Sequence, residues 1–277
     1  MTILLTGVST GIGQTTAQLL LERGYRVYGS VRKPEDAAAL SSHPAFHTLV
    51  MDVVDRDSVR RAMAVIAASG EQLTAVINNA GIAVSGPLET MPEADYRQQI
   101  EVNVFGTLAV CQEALPLLHA ARAAGESNVK IINISSVSGY VAAPFTSMYS
   151  ASKFAVEAIT DGLRRELTPF GIDAISIAPG PVKTPIWAKG RTYTHAYEGT
   201  RYAYILEKLG PYTRANEEGG IEPEKVAELI LETLRDPRPR PDRLIMHKAW
   251  IIRILRQLPK RVQDKLFLRN LEVNRRY

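Results

Sequence analysis

Residues 2–24 read TILLTGVSTGIGQTTAQLLLERG, and the fold class is decided in them. Thr2 to Thr6 make a short apolar strand, Thr6 to Gly13 a glycine-rich turn, and Gln14 to Arg23 carry helical spacing until Gly24 stops them. A turn of this kind aims backbone N–H groups and the positive end of the helix dipole at one spot, which suits a phosphate. The glycines at 7, 11 and 13 do not follow G-x-G-x-x-G, so that general fingerprint is not met. A plain tight turn is the competing reading; the strand and helix on either side favour dinucleotide binding.

Working outward, Arg26 to Val31 make a second strand, whose end is where a doubly wound dinucleotide domain meets the adenosine ribose. An acidic residue there would bind a free 2′-hydroxyl. Here Val31 is followed by Arg32 and Lys33, which suits a 2′-phosphate, with a solvated surface arginine as the alternative. Asp36, after Pro34, lies too far on and reads as a helix-start residue. Strands follow at His47 to Met51, ending in Asp52-Val53, and at Thr74 to Ile77, running into Asn78-Asn79-Ala80-Gly81, with a helix from near Asp55 between them. Further along, Ile172 to Ile177 and a stretch around Leu244 to Met246 read as strands, and Pro223 to Leu234 as a helix. Strands alternating with helices indicate a parallel sheet covered on both faces, with its ligand at the carboxyl ends of the strands.

The stretch Ile132 to Lys153, INISSVSGYVAAPFTSMYSASK, leaves a β-branched strand and enters a helix in which Tyr149 and Lys153 stand four residues apart on one face. A phenol titrates near ~10 and an ammonium beside it favours the phenolate, so the pair is expected to work as a general acid/base with the tyrosine drawn toward neutral pH. Ser136, thirteen residues before Tyr149, is placed to hydrogen-bond the same substrate oxygen. Alone, Tyr-x-x-x-Lys is weak, because an aromatic at the core edge with a solvated lysine is common. Asn103 falls inside the helical stretch from about Pro92 to Ala124, where asparagine is a poor helix former without a local partner. It reads either as loop-facing or as the mark of a backbone distortion that holds a water.

With 277 residues, 45% apolar and 22% charged, the chain can bury a large core and reads as one domain. The single cysteine, Cys111, lies in an apolar helical pattern and reads as core; no metal is implied. The start MTILLTGVS has no basic segment followed by a long apolar one, and no eighteen apolar residues run together, so a cytoplasmic protein is expected. The net charge of +4 belongs to the end of the chain: from His247 to Tyr277 nine Lys/Arg face two acidic residues. The main body therefore offers no case for nucleic-acid binding. From 183 to 220 periodicity weakens and Trp187, Tyr193, Tyr197, Tyr202, Tyr204 and Tyr212 accumulate, which reads as a lid or as an ordinary packed insertion. His195, within it, reads as a surface or packing residue. In the tail, Trp250, Ile251, Ile254, Leu255 and Leu258, then Val262, Leu266 and Leu268, recur at helical spacing among the basic residues. A cap over the substrate cleft is the favoured reading, and contact with an anionic membrane surface the other.

Taken together, TGVSTGIG, NNAG, Asn103, Ser136, YSASK and PGPVKTP resemble the short-chain dehydrogenase/reductase family over about residues 2 to 246. The resemblance implies a single Rossmann-like α/β domain (1–246, with 247–277 as a helical extension of it), about seven parallel strands and a nicotinamide dinucleotide. It implies a catalytic tetrad of Asn103, Ser136, Tyr149 and Lys153, in which Lys153 also holds the nicotinamide ribose and Asn103 anchors a relay water. Cofactor contacts carry over to Gly7, Ser9, Ile12 and Gly13, to Asp52 and Val53 at the adenine, to Asn79 and Gly81, and to Val182 and Thr184 at the carboxamide. A narrower likeness to the retinol and hydroxysteroid dehydrogenase branch rests on HTLVMDVVDRDSV, DGLRREL and FGI. The expectation is an NADP(H)-dependent oxidoreductase, with NAD(H) as the alternative, that interconverts a carbonyl and an alcohol on a small lipophilic substrate as a homodimer or homotetramer. A non-catalytic dinucleotide sensor or scaffold is the competing class, against which the intact tetrad argues.

Overall fold

The computed structural model describes residues 1–184, 186, 198–203 and 218–270. Seven strands form one parallel sheet: β1 (Thr2–Thr6), β2 (Arg26–Val31), β3 (Phe46–Val50), β4 (Leu73–Asn78), β5 (Val129–Ile134), β6 (Ile172–Pro179) and β7 (Asp242–Ile245). Their order is β3-β2-β1-β4-β5-β6-β7. Side-chain alternation along each strand feeds two cores. Ile3, Leu5, Ala75, Ile77, Ile132, Ile134, Ile175 and Ile177 face one side, where α1 (Gly11–Glu22) lies with α6 (Pro223–Arg235). Leu4, Val76, Ile131 and Ala174 face the other. There α2 (Arg56–Ala68), α4 (Thr107–Ala123) and the far end of α5 (Ser147–Leu167) cover the sheet. Strands buried on both faces explain why their sequences read as nearly continuous apolar runs rather than alternating ones.

Chain direction across the sheet reverses between β1 and β4, so the loops that leave these two strands meet at one crevice. Asn79 joins them: its Nδ2 donates to the carbonyls of Thr6 and Gly7, each at 3.0 Å. The Thr6 hydroxyl returns the contact, accepting from Asn79 N and Ala80 N.

Several boundaries differ from the sequence expectation. Helix α1 begins at Gly11 rather than Gln14, so Ile12 and Gly13 form its first turn. This requires glycine at 13, where a β-carbon would stand 2.1 Å from the Gly7 carbonyl oxygen. Strand β3 starts one residue earlier than expected and β6 runs on to Pro179, tied to β7 through Ser176 to Pro179. Asp36 does not cap a helix; Lys33 occupies that place before a short turn over Pro34–Ala37. The N-cap expected near Asp55 is present, its carboxylate accepting from Asp57 N and Ser58 N. Cys111 is buried in the second core, where burial pushes its thiol up to about 12.

Trp187, Tyr193, His195, Tyr197, Tyr204 and Tyr212, which carry most of the lid reading, lie outside the described residues. Tyr202 is described: its hydroxyl donates to Glu89 at 2.6 Å and its ring meets Phe145 edge-on at 6.1 Å. After β7 the tail forms α7 (Trp250–Gln257) and α8 (Lys260–Asn270), separated at Pro259. Trp250, Ile251 and Ile254 stand exposed on α7 rather than folded inward over a cleft.

Candidate active site

Four elements bring the expected residues to the carboxyl edge of the sheet. Ser136 follows β5 and caps a short turn, its Oγ accepting from Ser138 N at 3.1 Å. Tyr149 stands in the first turn of α5 and Lys153 one turn on. The helix starts where Thr146 is followed by SMYSASK, with Ser150 N donating to the Thr146 carbonyl at 2.8 Å. The Ser136 hydroxyl neighbours the Tyr149 phenol and acts on its protonation. The Lys153 ammonium lies 5.7 Å from the Tyr149 ring centroid and donates to the Ile134 carbonyl at 2.9 Å.

Asn103 faces a loop from within a distorted turn of helix. The helix from α3 (Glu93–Ile100) into α4 widens to a π-turn over Glu101–Gly106, so the backbone is distorted there. The side chain also faces a loop. Its Nδ2 donates to the Ile82 carbonyl at 2.9 Å and to Ser152 Oγ at 3.0 Å, and its Oδ1 accepts from Ile82 N at 2.8 Å. Ser152 in turn donates to the Tyr149 carbonyl at 2.7 Å. Asn103 thus ties the loop after β4 to the helix that carries Tyr149.

The electrostatics correct one expectation. Tyr149 is not drawn toward neutral pH: burial pushes its phenol above the ordinary value, and the Ser136 hydroxyl opposes this only in part. The Lys153 charge is spent on a main-chain carbonyl, and burial lowers the lysine itself to about 8, against an upward pull from Glu157. Desolvation wins because both groups lie in a low-dielectric wall of the sheet edge.

Glu157, one turn beyond Lys153, is a residue that the sequence reading missed. Burial raises its carboxyl, and the neighbouring Ser135, Ser176 and Tyr140 hydroxyls oppose that rise. The bond from Ser176 Oγ measures 2.8 Å. The signal was available as a carboxylate at i+4 from the lysine in a helix whose face was already known to be buried. Gly139 fits against this group only because it lacks a side chain, since a β-carbon would stand 3.0 Å from Ser135 Oγ and 3.1 Å from the Glu157 side chain.

Of the expected cofactor residues, Gly7 has φ +72 and sits under Ala80, and Ser9 and Ile12 are half-buried where α1 begins. Thr10 occupies the N-cap without a side-chain hydrogen bond, and no acidic residue stands in the first turn, so the positive helix end is open. Arg32 is exposed at the end of β2 and makes no ion pair among the described residues. Asp52 turns its carboxylate to Val54 N at 3.2 Å; Val53 is buried against Gly106. Gly81 is exposed, and a β-carbon on it would lie 3.2 Å from Asn103 Oδ1 and 3.8 Å from the Lys153 ammonium. Val182 pairs with Ile221 in an isolated parallel bridge, and Thr184 follows half-buried. An open helix end, a free guanidinium on the neighbouring strand and a bare glycine next to Lys153 are the donor set that a phosphorylated dinucleotide needs.

Comparison with known proteins gives three results. The family model described as short chain dehydrogenase matches residues 1–194. The chain is 38% identical over 272 residues to the NADPH-dependent 3-dehydrocapnine reductase of Ornithobacterium rhinotracheale, covering 96% of each chain. It is 34% identical over 244 residues to the 3-ketodihydrosphingosine reductase of Bacteroides thetaiotaomicron, covering 86% of this chain and 84% of the relative. Among solved structures, a short chain dehydrogenase from Burkholderia cenocepacia in complex with NADP is similar at TM-score 0.75 and 27% identity, over 96% of this chain and 97% of that one.

Proposed function

Because the chain belongs to the short-chain dehydrogenase/reductase family and is thereby an NAD(P)-dependent oxidoreductase, we propose that it reduces the ketone of a lipophilic substrate with Tyr149 as proton donor. NADP(H) is the favoured dinucleotide. The observation that carries the reading is the meeting of the Ser136 and Tyr149 hydroxyls, with Lys153 one helical turn away and its ammonium 5.7 Å from the Tyr149 ring centroid.

Bound NADPH supplies the hydride for the carbonyl carbon. The chain's own residues manage the oxygen and its proton. Ser136 donates to the substrate oxygen and fixes its place; Tyr149 gives up its proton to that oxygen as negative charge develops on it. A phenol raised by burial is fully protonated at neutral pH, which suits an acid working in the reductive direction. Asn103 holds the helix register beneath Tyr149 through Ser152 and anchors the end of a relay that returns the proton from solvent. Lys153 and the open start of α1, with Gly7, Ser9, Ile12 and Gly13, hold the dinucleotide. Arg32 takes the 2′-phosphate, Asp52 and Val53 border the adenine, Asn79 and Gly81 line its path, and Val182 and Thr184 meet the carboxamide.

Two of the reductases to which the chain is similar carry names that place the oxidised position at carbon 3, which supports a 3-keto compound with a long apolar chain as the substrate class. The sequence suggests a steroid-, retinoid- or ketone-like compound, and this reading takes the last of the three. Exposed Phe105 and Phe154, on the two long helices that flank the site, offer the face on which copies of the chain would pair, in a cytoplasmic setting. The test is NADPH oxidation with a long-chain 3-ketone in mixed micelles beside steroid, retinoid and short water-soluble ketones. The long-chain ketone should give the highest kcat/KM, and NADPH should outperform NADH; a steroid preferred over it would overturn the substrate class.

A further inference from the structure

The last two helices turn an apolar and basic face to solvent. Trp250 is 60% exposed, Ile251 41%, Ile254 51%, Val262 40% and Leu266 42%. The inward side of α7 is fixed by Arg256, whose guanidinium lies 4.5 Å from the Tyr140 ring centroid. Ile254 stands about 200° round the helix from Arg256, with Trp250 one turn below it, so both point away from the body. The inward side of α8 is fixed by Gln263, which is buried and donates to the Leu258 carbonyl at 2.8 Å. Val262 and Leu266, four residues apart, share one flank of α8, about 100° and 60° round the helix from Gln263, where both stay partly exposed. From Lys248 to Arg269 there are seven Lys/Arg against one acidic residue, Asp264.

We propose that this face docks the protein on an anionic lipid bilayer. An exposed apolar side on α7 that carries a tryptophan, with partly exposed Val262 and Leu266 on α8 and bases on both short helices, matches the interfacial position, where rings and aliphatic chains sink below the headgroups and bases meet lipid phosphate. A second copy of the chain is a poorer occupant. In an isologous contact each patch faces its own like, so the bases of two tails would be brought together, whereas anionic lipids neutralise them. Tyr140, against which Arg256 stacks, lies in the chain between Ser136 and Tyr149, so the docked helix abuts the site and an apolar substrate would have a short path from the bilayer. The inference rests on exposure and charge and stands apart from the substrate assigned above.

Co-sedimentation of the full-length protein tests it, with neutral phosphatidylcholine vesicles against vesicles about one-third phosphatidylglycerol, at about 0.1 M and about 0.5 M salt. Partition onto the anionic vesicles should be about tenfold stronger at the lower salt and largely lost at the higher. Trp250→Glu with Ile254→Glu should cut that partition about tenfold or more, leaving the particle mass by light scattering and the rate on a small water-soluble ketone unchanged. Arg253→Gln with Lys265→Gln, both exposed, gives a second route to the same loss should the first pair not fold. The proposal fails if the wild type stays in the supernatant or binds both vesicle types equally. It also fails if the Trp250/Ile254 variant halves the particle mass.

Discussion

Lys153 and Tyr149 are shifted by burial in opposite senses, and each shift has a measurable consequence. With Lys153 near 8 in the folded protein against 10.5 ordinarily, the native lysine sheds its proton between those values while the unfolded chain keeps it. The unfolded state then binds more protons, so this group's contribution to stability rises with pH across that window; below it both states are charged and the cost of burying the ammonium is carried in full. Denaturant unfolding of the apoprotein beside Lys153→Met should show the wild type gaining on the variant from about pH 8 to about pH 10.5, other titrations cancelling in the difference. A constant difference would remove the burial argument. At Arg32 the effect is on binding: a charge-assisted contact with a 2′-phosphate is worth roughly 1.5 to 3 kcal/mol, about ten- to a hundredfold. Arg32→Ala should weaken NADPH by that factor and leave NADH within about twofold in a fluorescence titration. Equal losses for both would make Arg32 a surface residue only.

At the scale of elements, the crevice depends on how closely α1 approaches the loop after β1. A methyl at position 13 would sit 2.1 Å from the Gly7 carbonyl and 2.5 Å from Asn79 Nδ2, and those two atoms are already bonded to each other at 3.0 Å. Neither can yield without moving β1 or the loop after β4. Gly13→Ala should therefore lower stability by about 3 kcal/mol or more and weaken NADPH at least about tenfold, read from a denaturant midpoint and a titration. Wild-type values would show that the loop yields freely. This packing explains what the sequence could and could not tell. The alternation of strands and helices and the Tyr149–Lys153 spacing are local patterns, and each stands where it was expected, while the glycine turn is present but gives way to helix at Gly11. The start of α1 was misplaced because the need for glycine at 13 comes from Gly7 and Asn79, which are distant in sequence or in another element. The Tyr149 shift was misjudged for a similar reason: the lysine's preferred partner, the Ile134 carbonyl, lies on β5, and spacing along one helix cannot reveal it. Glu157 was passed over because its hydrogen-bond donor, Ser176, lies on β6, and the Ser135 and Tyr140 hydroxyls near it come from other segments again.

On the scale of the whole molecule, the sheet gathers its chemistry at one edge and its positive charge in the last two helices, at which the chain changes from a buried fold to an exposed amphipathic surface. Among the described residues, Arg256 over the Tyr140 ring links the tail helices to the segment between Ser136 and Tyr149. The central claim is that Tyr149 supplies the proton. Steady-state reduction of a ketone by Tyr149→Phe, measured beside NADPH affinity, tests it most directly, since the substitution removes one oxygen from a half-buried ring and nothing else. The account predicts a kcat lowered about a hundredfold or more with NADPH affinity unchanged within about twofold. Residual turnover above about a tenth of wild type, at unchanged NADPH affinity, would contradict it.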